Sequence, residues 1–237
     1  MKKLIILLVA LVSLTTAYCQ TANEYFSMGL EKAYLEDYRG AMADYTKAIE
    51  IDPNYGLTYV TRGLIKHELE DYRSAIADYT KAIEIDPNIA IVYYNRGLSK
   101  ANLGLGDQQG AIADFTKAIE IDPNDAYTYF NRGHSKGLFE NYRGAIADYT
   151  KAIEIDPNNA DTYFNRGVLQ ANLKNFRDAI ADFTKTIEID PKYAKAYFTR
   201  GISKTFLGQL DSACLDLSQA SEFGYEPAYK VIKEKCN

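Results

Sequence analysis

Ala75-Ile76-Ala77-Asp78-Tyr79-Thr80-Lys81-Ala82-Ile83-Glu84-Ile85-Asp86-Pro87 is the stretch on which the fold turns. Ala75, Ile76, Tyr79, Ala82 and Ile83 carry the spacing of one apolar helix face. Pro87 cannot continue that helix and biases Asp86 toward extended backbone. Asp71, just ahead of Tyr72, has the chemistry of an N-cap for it. Upstream, Leu57 to Leu69 reads as a second amphipathic helix. The unit is therefore helix A, a short turn, helix B, and a turn containing proline.

The unit recurs. Pro53, Pro87, Pro123, Pro157 and Pro191 are spaced 34, 36, 34 and 34 residues apart. A fixed period of this size marks stacked supersecondary units, which bury apolar faces only between neighbours. The repeats run 22–55, 56–89, 90–125, 126–159, 160–193 and 194–225, within a repeat domain spanning 20–225. Gly29, Gly63, Gly97, Gly133, Gly167 and Gly201 share one site on helix A. A glycine inside a helix costs about 1 kcal/mol against alanine, so six in register imply close packing. Ala41, Ala75, Ala111, Ala145, Ala179 and Ala213 are the expected small residues on helix B. A two-residue insertion lengthens the A–B turn of repeat three, Gly104-Leu105-Gly106-Asp107-Gln108, and puts Gln108 where repeats one, two and four have Tyr; it is read as either a tolerated surface loop or a functional one.

This pattern resembles the tetratricopeptide (TPR) signature, in which an aromatic, a Leu-Gly pair and a Tyr are followed by Ala, an aromatic, Ala and Pro. The resemblance covers residues 22 to 225. It implies an all-α, right-handed superhelical solenoid of six antiparallel helix pairs, helix A lining the concave face. It also implies binding of peptides or proteins rather than catalysis. Two departures stand out. The usual Leu before the glycine is Arg62, Arg96, Arg132, Arg166 or Arg200, and Met28 in repeat one. The usual Tyr after it is Lys32, Lys66, Lys100, Lys136 or Lys204, and Gln170 in repeat five.

Repeat six drifts from the pattern, and Pro227 opens a short helix to about Lys235, expected as a capping helix over residues 226–237. That helix would carry Cys236 toward Cys214. The alternatives are a disulfide, which suits an oxidising compartment, or two inert thiols. At the other end, Lys2 and Lys3 precede an apolar run from Leu4 to Leu14, and Ala17-Tyr18-Cys19 follows. Residues 1–19 read as a secretory signal peptide, implying a periplasmic or secreted protein with no integral membrane segment after cleavage. A lipid anchor on Cys19 is the lesser alternative, because Tyr18 is bulky for that signal. The style of the repeats resembles exported bacterial TPR proteins.

The formal net charge is −5, which lacks the basic footprint of general nucleic-acid binding. His67 and His134 fall in different repeats without ligands at metal-site spacing, so no metal or cofactor is expected. Acidic pairs recur in every repeat like a solvated face, and no catalytic constellation breaks the repetition. The chain is read as no enzyme.

Two residue sets remain. Asp44, Asp78, Asp114, Asp148 and Asp182 repeat on helix B. Repeat one lacks the arginine and also lacks a predecessor. The reading is that each Arg reaches back to helix B of the preceding repeat, with its Asp as the favoured partner, a ladder between repeats; the alternative is a basic stripe open to acidic ligands. By the resemblance, the fifth and ninth positions of each repeat face the groove. That nominates Phe26, Tyr94, Phe130, Phe164, Phe198 and His134, with Asn95, Asn131 and Asn165 beside them for a ligand backbone. These apolar fifth positions depart from the Lys and Asn clamp of chaperone-tail-binding relatives. The alternative for the aromatics is helix packing. The functions weighed are a cell-envelope adaptor taking a protein or peptide in the groove, a structural or self-associating subunit, and a glycan-binding module.

Overall fold

A computed structural model describes residues 20–104 and 107–236. The expected signal peptide and Cys19, the insertion residues Leu105 and Gly106, and Asn237 lie outside the described residues. The described chain is all helical. Its pairs are α1 (Ala22–Tyr34) and α2 (Tyr38–Ile51), α3 (Gly56–Glu68) and α4 (Tyr72–Ile85), α5 (Ala90–Asn102) and α6 (Gln108–Ile121). They continue as α7 (Ala126–Leu138) and α8 (Tyr142–Ile155), α9 (Ala160–Asn172) and α10 (Phe176–Ile189), α11 (Ala194–Phe206) and α12 (Leu210–Glu222), with α13 (Pro227–Lys235) last. The chain divides after Asn88 into two compact units. The first holds two pairs; the second holds four pairs and α13.

Local chemistry sets the helix ends. The Asp71 carboxylate accepts the Ser74 amide at 3.3 Å, so it caps α4. Each of Asp52, Asp86, Asp122, Asp156 and Asp190 terminates a helix B in extended backbone before its proline. Their carboxylates turn back onto the amide two residues on, as Asp86 does to Asn88 at 2.9 Å. The A–B turn needs one left-handed residue. Glu36, Glu70, Glu140 and Lys174 hold φ near +60°, where Gly104 and Gly208 sit without a steric penalty.

The helix A glycines admit rings. A Cβ on Gly63 would stand 2.8 Å from the Tyr79 ring, and on Gly97 or Gly167 2.8 Å from Phe115 or Phe183. Tyr45, Tyr79, Phe115, Tyr149, Phe183 and Leu217 are all buried there. At these positions the helix B ring demands glycine, whereas at Gly133 and Gly201 the carbonyl of the helix B alanine stands as close, at 3.2 and 3.1 Å.

At the C-terminal end, Ala228 of α13 is fully buried, while Lys230, Glu234 and Lys235 face solvent. A disulfide joins Cys214 to Cys236 across 22 residues of chain.

Candidate functional site

Four arginines of the repeated series sit at three-way junctions. Arg132 on α7 donates through Nε and Nη2 to Asp148 on α8 at 3.0 and 2.7 Å. Its Nη1 donates to Thr116 on α6 at 3.2 Å. Its guanidinium also lies over the Tyr129 ring. Arg62, Arg166 and Arg200 repeat this with Asp78 and Thr46, Asp182 and Thr150, and Asp216 and Thr184. Arg96 pairs with Asp114 in the same bidentate way.

This corrects the expected ladder. The carboxylate belongs to the arginine's own repeat, and the group in the preceding repeat is a threonine hydroxyl. Asp148 and Thr150 are two residues apart, so they leave helix B in nearly opposite directions. The aspartate faces its own helix A; the threonine faces the next one. The arginines are also closed to acidic ligands, since their Asp partners are buried and paired.

The lysines one turn on complete the junction. Lys66, Lys100, Lys136 and Lys204 reach the second oxygen of the same carboxylate at 2.7–2.8 Å. In repeat one, where Met28 replaces the arginine, Lys32 holds Asp44 at 2.6 Å. In repeat five Gln170 replaces the lysine, and Asp182 keeps Arg166. Burial disfavours the Arg166 charge, but the hydrogen bond and charge of Asp182 outweigh it and raise its pKa.

The nominated groove residues separate into two groups. Phe26 is buried between Tyr45 and Tyr55, with ring centroids 5.9 and 5.1 Å away, and offers no groove surface. Phe164 is held between Phe183 and Tyr193 at 5.7 and 5.0 Å. Phe198 packs on Tyr225 at 4.9 Å, and its remaining face borders an apolar cleft with Val168, Ile202 and Phe206. Helix packing therefore accounts for Phe26 entirely and for Phe164 largely.

Phe130, Asn131, His134 and Asn165 come together. They line a cleft of about 450 Å³ with Leu98, Gln108 and Leu138, built from α5, α6, α7 and α9. The Asn131 amide nitrogen donates to the Tyr127 carbonyl at 2.9 Å and to the Tyr94 hydroxyl at 3.2 Å. Asn165 donates to the Asp161 carbonyl at 2.9 Å. Bonding to a carbonyl fixes which way each carboxamide points, so the two side-chain oxygens are left as acceptors. Tyr94 lies beyond Asn131, and Asn95 lines neither this cleft nor the Phe198 cleft.

Gln108, which the sequence reading placed in the lengthened A–B turn at a tyrosine position but did not nominate for the groove, is a cleft residue. It is buried, its nitrogen donates to the Ala101 carbonyl at 2.9 Å, and its oxygen has no partner. The available signal was a glutamine where sister repeats place Tyr38, Tyr72, Tyr142 or Phe176. Among the described residues no group of three or more His, Cys, Asp or Glu could hold a metal ion. None of the described helices is long and apolar enough to cross a membrane.

Comparison with known proteins agrees with this architecture. A family model described as TPR repeat matches residues 63–104, 105–137 and 140–174. Two models described as tetratricopeptide repeat match 160–193 and 17–55. The crystal structure of MamA protein is 25% identical, with a TM-score of 0.68 over 73% of this chain and 94% of its own. YrrB, titled a TPR protein with an unusual peptide-binding site, is 23% identical, with a TM-score of 0.71 over 80% and 97%. PilW, titled a widely conserved type IV pilus biogenesis factor, is 20% identical, with a TM-score of 0.69 over 89% and 97%. The last two likenesses carry the fold alone. A search of curated proteins finds no match. With repeat models aligned to both units and solved TPR chains superposing on most of the length, the chain belongs to the tetratricopeptide-repeat family.

Proposed function

We propose that this chain is a non-catalytic scaffold of the cell envelope that takes a protein or peptide segment in the cleft of repeats three to five. One observation carries the reading. Two asparagine acceptors and the exposed His134 stand beside the Phe130 ring in one open cleft whose lining has no carboxylate, lysine or arginine. Backbone N–H groups are the donors that such acceptors match, and an apolar floor receives alternate side chains. The envelope assignment rests on residues 1–19.

The test is cross-linking of the tagged chain in its native envelope, beside a His134→Glu/Asn165→Asp variant. These side chains leave the buried rings untouched, unlike Phe130 and Phe164. The expected result is a partner captured by the parent and lost by a variant of unchanged Tm. Equal capture by both would remove the cleft from the binding account.

A further inference from the structure

Comparing the repeats with one another exposes a second site. In repeats one, five and six the residue that ends the unit is a tyrosine, and it lies on the fifth-position ring. Tyr55 covers Phe26, Tyr193 covers Phe164, and Tyr225 covers Phe198, at centroid separations of 5.1, 5.0 and 4.9 Å. In repeats one and five the phenol also donates to the second residue of helix A. Tyr55 reaches Asn23 at 3.2 Å and Tyr193 reaches Asp161 at 2.8 Å.

In repeat three the covering residue is Asp125, and the second residue of helix A is Ile91. The place of the tyrosine ring is open. It is a cavity of about 360 Å³ lined by Ala90, Ile91, Tyr94, Ala118, Asp122 and Asp125. Tyr94 and Ile91 hold the two repeat positions that the tyrosine spans in repeats one and five. The cavity lies wholly in the second unit, and its wall residues other than Tyr94 were never groove candidates.

Its chemistry selects the occupant. The floor is the Tyr94 ring, an aromatic face that attracts cations. The Asp125 carboxylate is fixed by the Tyr127 and Thr128 amides at 3.1 and 3.2 Å and by the Thr128 hydroxyl. Asp122 is fixed by the Asn124 amide at 3.0 Å. Neither carboxylate has an ion-pair partner among the described residues. Burial raises the Tyr94 pKa, and the charge of nearby Asp125 raises it further. The sister tyrosines show that the slot accepts a flat group, and a guanidinium is flat, cationic and able to bridge two carboxylates.

We propose that the slot over Tyr94 binds an arginine side chain of a partner protein, stacked where the sister repeats place their own tyrosine. The proposal does not depend on the cleft of Phe130 and His134.

The probe is an acetylated, amidated glycine–arginine–glycine tripeptide, titrated against the full chain and followed by NMR at the Tyr94 ring and Thr128 amide. Millimolar, salt-sensitive binding is expected, with the citrulline analogue, neutral and nearly isosteric, weaker by about tenfold. Asp125→Tyr restores the internal ring and should abolish binding. Its fold is safe, because α3 and α11 start at Tyr55 and Tyr193 without side-chain caps. Asp125→Asn keeps a good cap and should weaken binding at unchanged Tm. The proposal is overturned if the tripeptide leaves both resonances unmoved, if the citrulline analogue binds equally well, or if Asp125→Tyr binds as the parent does.

Discussion

Repeats four and five differ by one cation at the arginine junction, which makes them internal controls for each other. Asp148 is held by Arg132 and by Lys136, whose Nζ lies 2.7 Å away. Asp182 is held by Arg166, and Gln170 stands where the lysine would be. The two aspartate side chains are only 5% and 8% exposed, so neither can turn to bulk water. Arg166→Met keeps an apolar stem of similar reach but leaves a buried charge without its cation, a change that costs about 3–5 kcal/mol. Arg132→Met removes the same bidentate bond and the same threonine contact, yet Lys136 still neutralises Asp148. Its cost should be that of lost charge-assisted hydrogen bonds, about 1–3 kcal/mol. The predicted gap is about 2 kcal/mol, or roughly 4–8 °C in Tm for a chain of this size. Repeat proteins can unfold in sections, so urea denaturation should be paired with amide exchange across α9 and α10. Adding Gln170→Lys to Arg166→Met should recover at least half of the gap. If Arg166→Met costs no more than Arg132→Met, or if the added lysine restores nothing, the junction is not held by charge compensation.

Tyr79 carries a fully buried hydroxyl without a partner, where repeats three and five place Phe115 and Phe183. Tyr79→Phe should stabilise the chain by about 1 kcal/mol in urea unfolding, and destabilisation would show that the hydroxyl is satisfied. Burial raises the pKa of Tyr79 and Tyr149, so the unfolded chain ionises first. Their stabilising contribution is complete below about pH 10 and falls above it by about 1.4 kcal/mol per pH unit for each. Tyr79→Phe/Tyr149→Phe should flatten that decline between pH 9 and 11, and an unchanged slope would contradict it. Reducing the Cys214–Cys236 bridge, which closes 22 residues, should cost about 3 kcal/mol, read as faster amide exchange in α12 and α13. Lys174 holds φ at +62° where Gly208 does the same work in repeat six, so Lys174→Gly should gain up to about 1 kcal/mol; a loss would mean that the lysine side chain matters there.

The helices, their proline stops and their buried faces were legible because they depend on spacing within about fifteen residues. The arginine partner was not. Repeat one lacks both the arginine and a predecessor, which suggested a partner one repeat back, and Thr46, Thr116, Thr150 and Thr184 do lie there. The aspartate was misplaced because Asp148 and Thr150 leave opposite sides of one helix, and only the packing order says which side meets which helix A. The groove aromatics divided between packing and cleft for a similar reason. Phe26 and Phe130 are the same residue at the same repeat position, yet one is sealed by Tyr55 and the other borders a cleft. What decides is a residue about thirty positions later, in a turn that periodicity alone does not weigh.

That dependence turns the departures from the repeat into the informative positions. A residue shared by all six repeats reports what stacking requires. A position that departs from its sister repeats is released from that requirement and can answer to something else. Gln108, Asp125, His134 and Gln170 are four such breaks, and all fall in repeats three to five. Three of them line either the cleft beside Phe130 or the slot over Tyr94. The fourth, Gln170, thins the charge at one junction and bonds Asn175 at 2.9 Å instead. Repeats one and six keep their tyrosine covers and lysine–aspartate pairs. Binding specificity in this chain should therefore track substitutions at those breaks, whereas substitutions at the shared positions should change stability first and binding only through it.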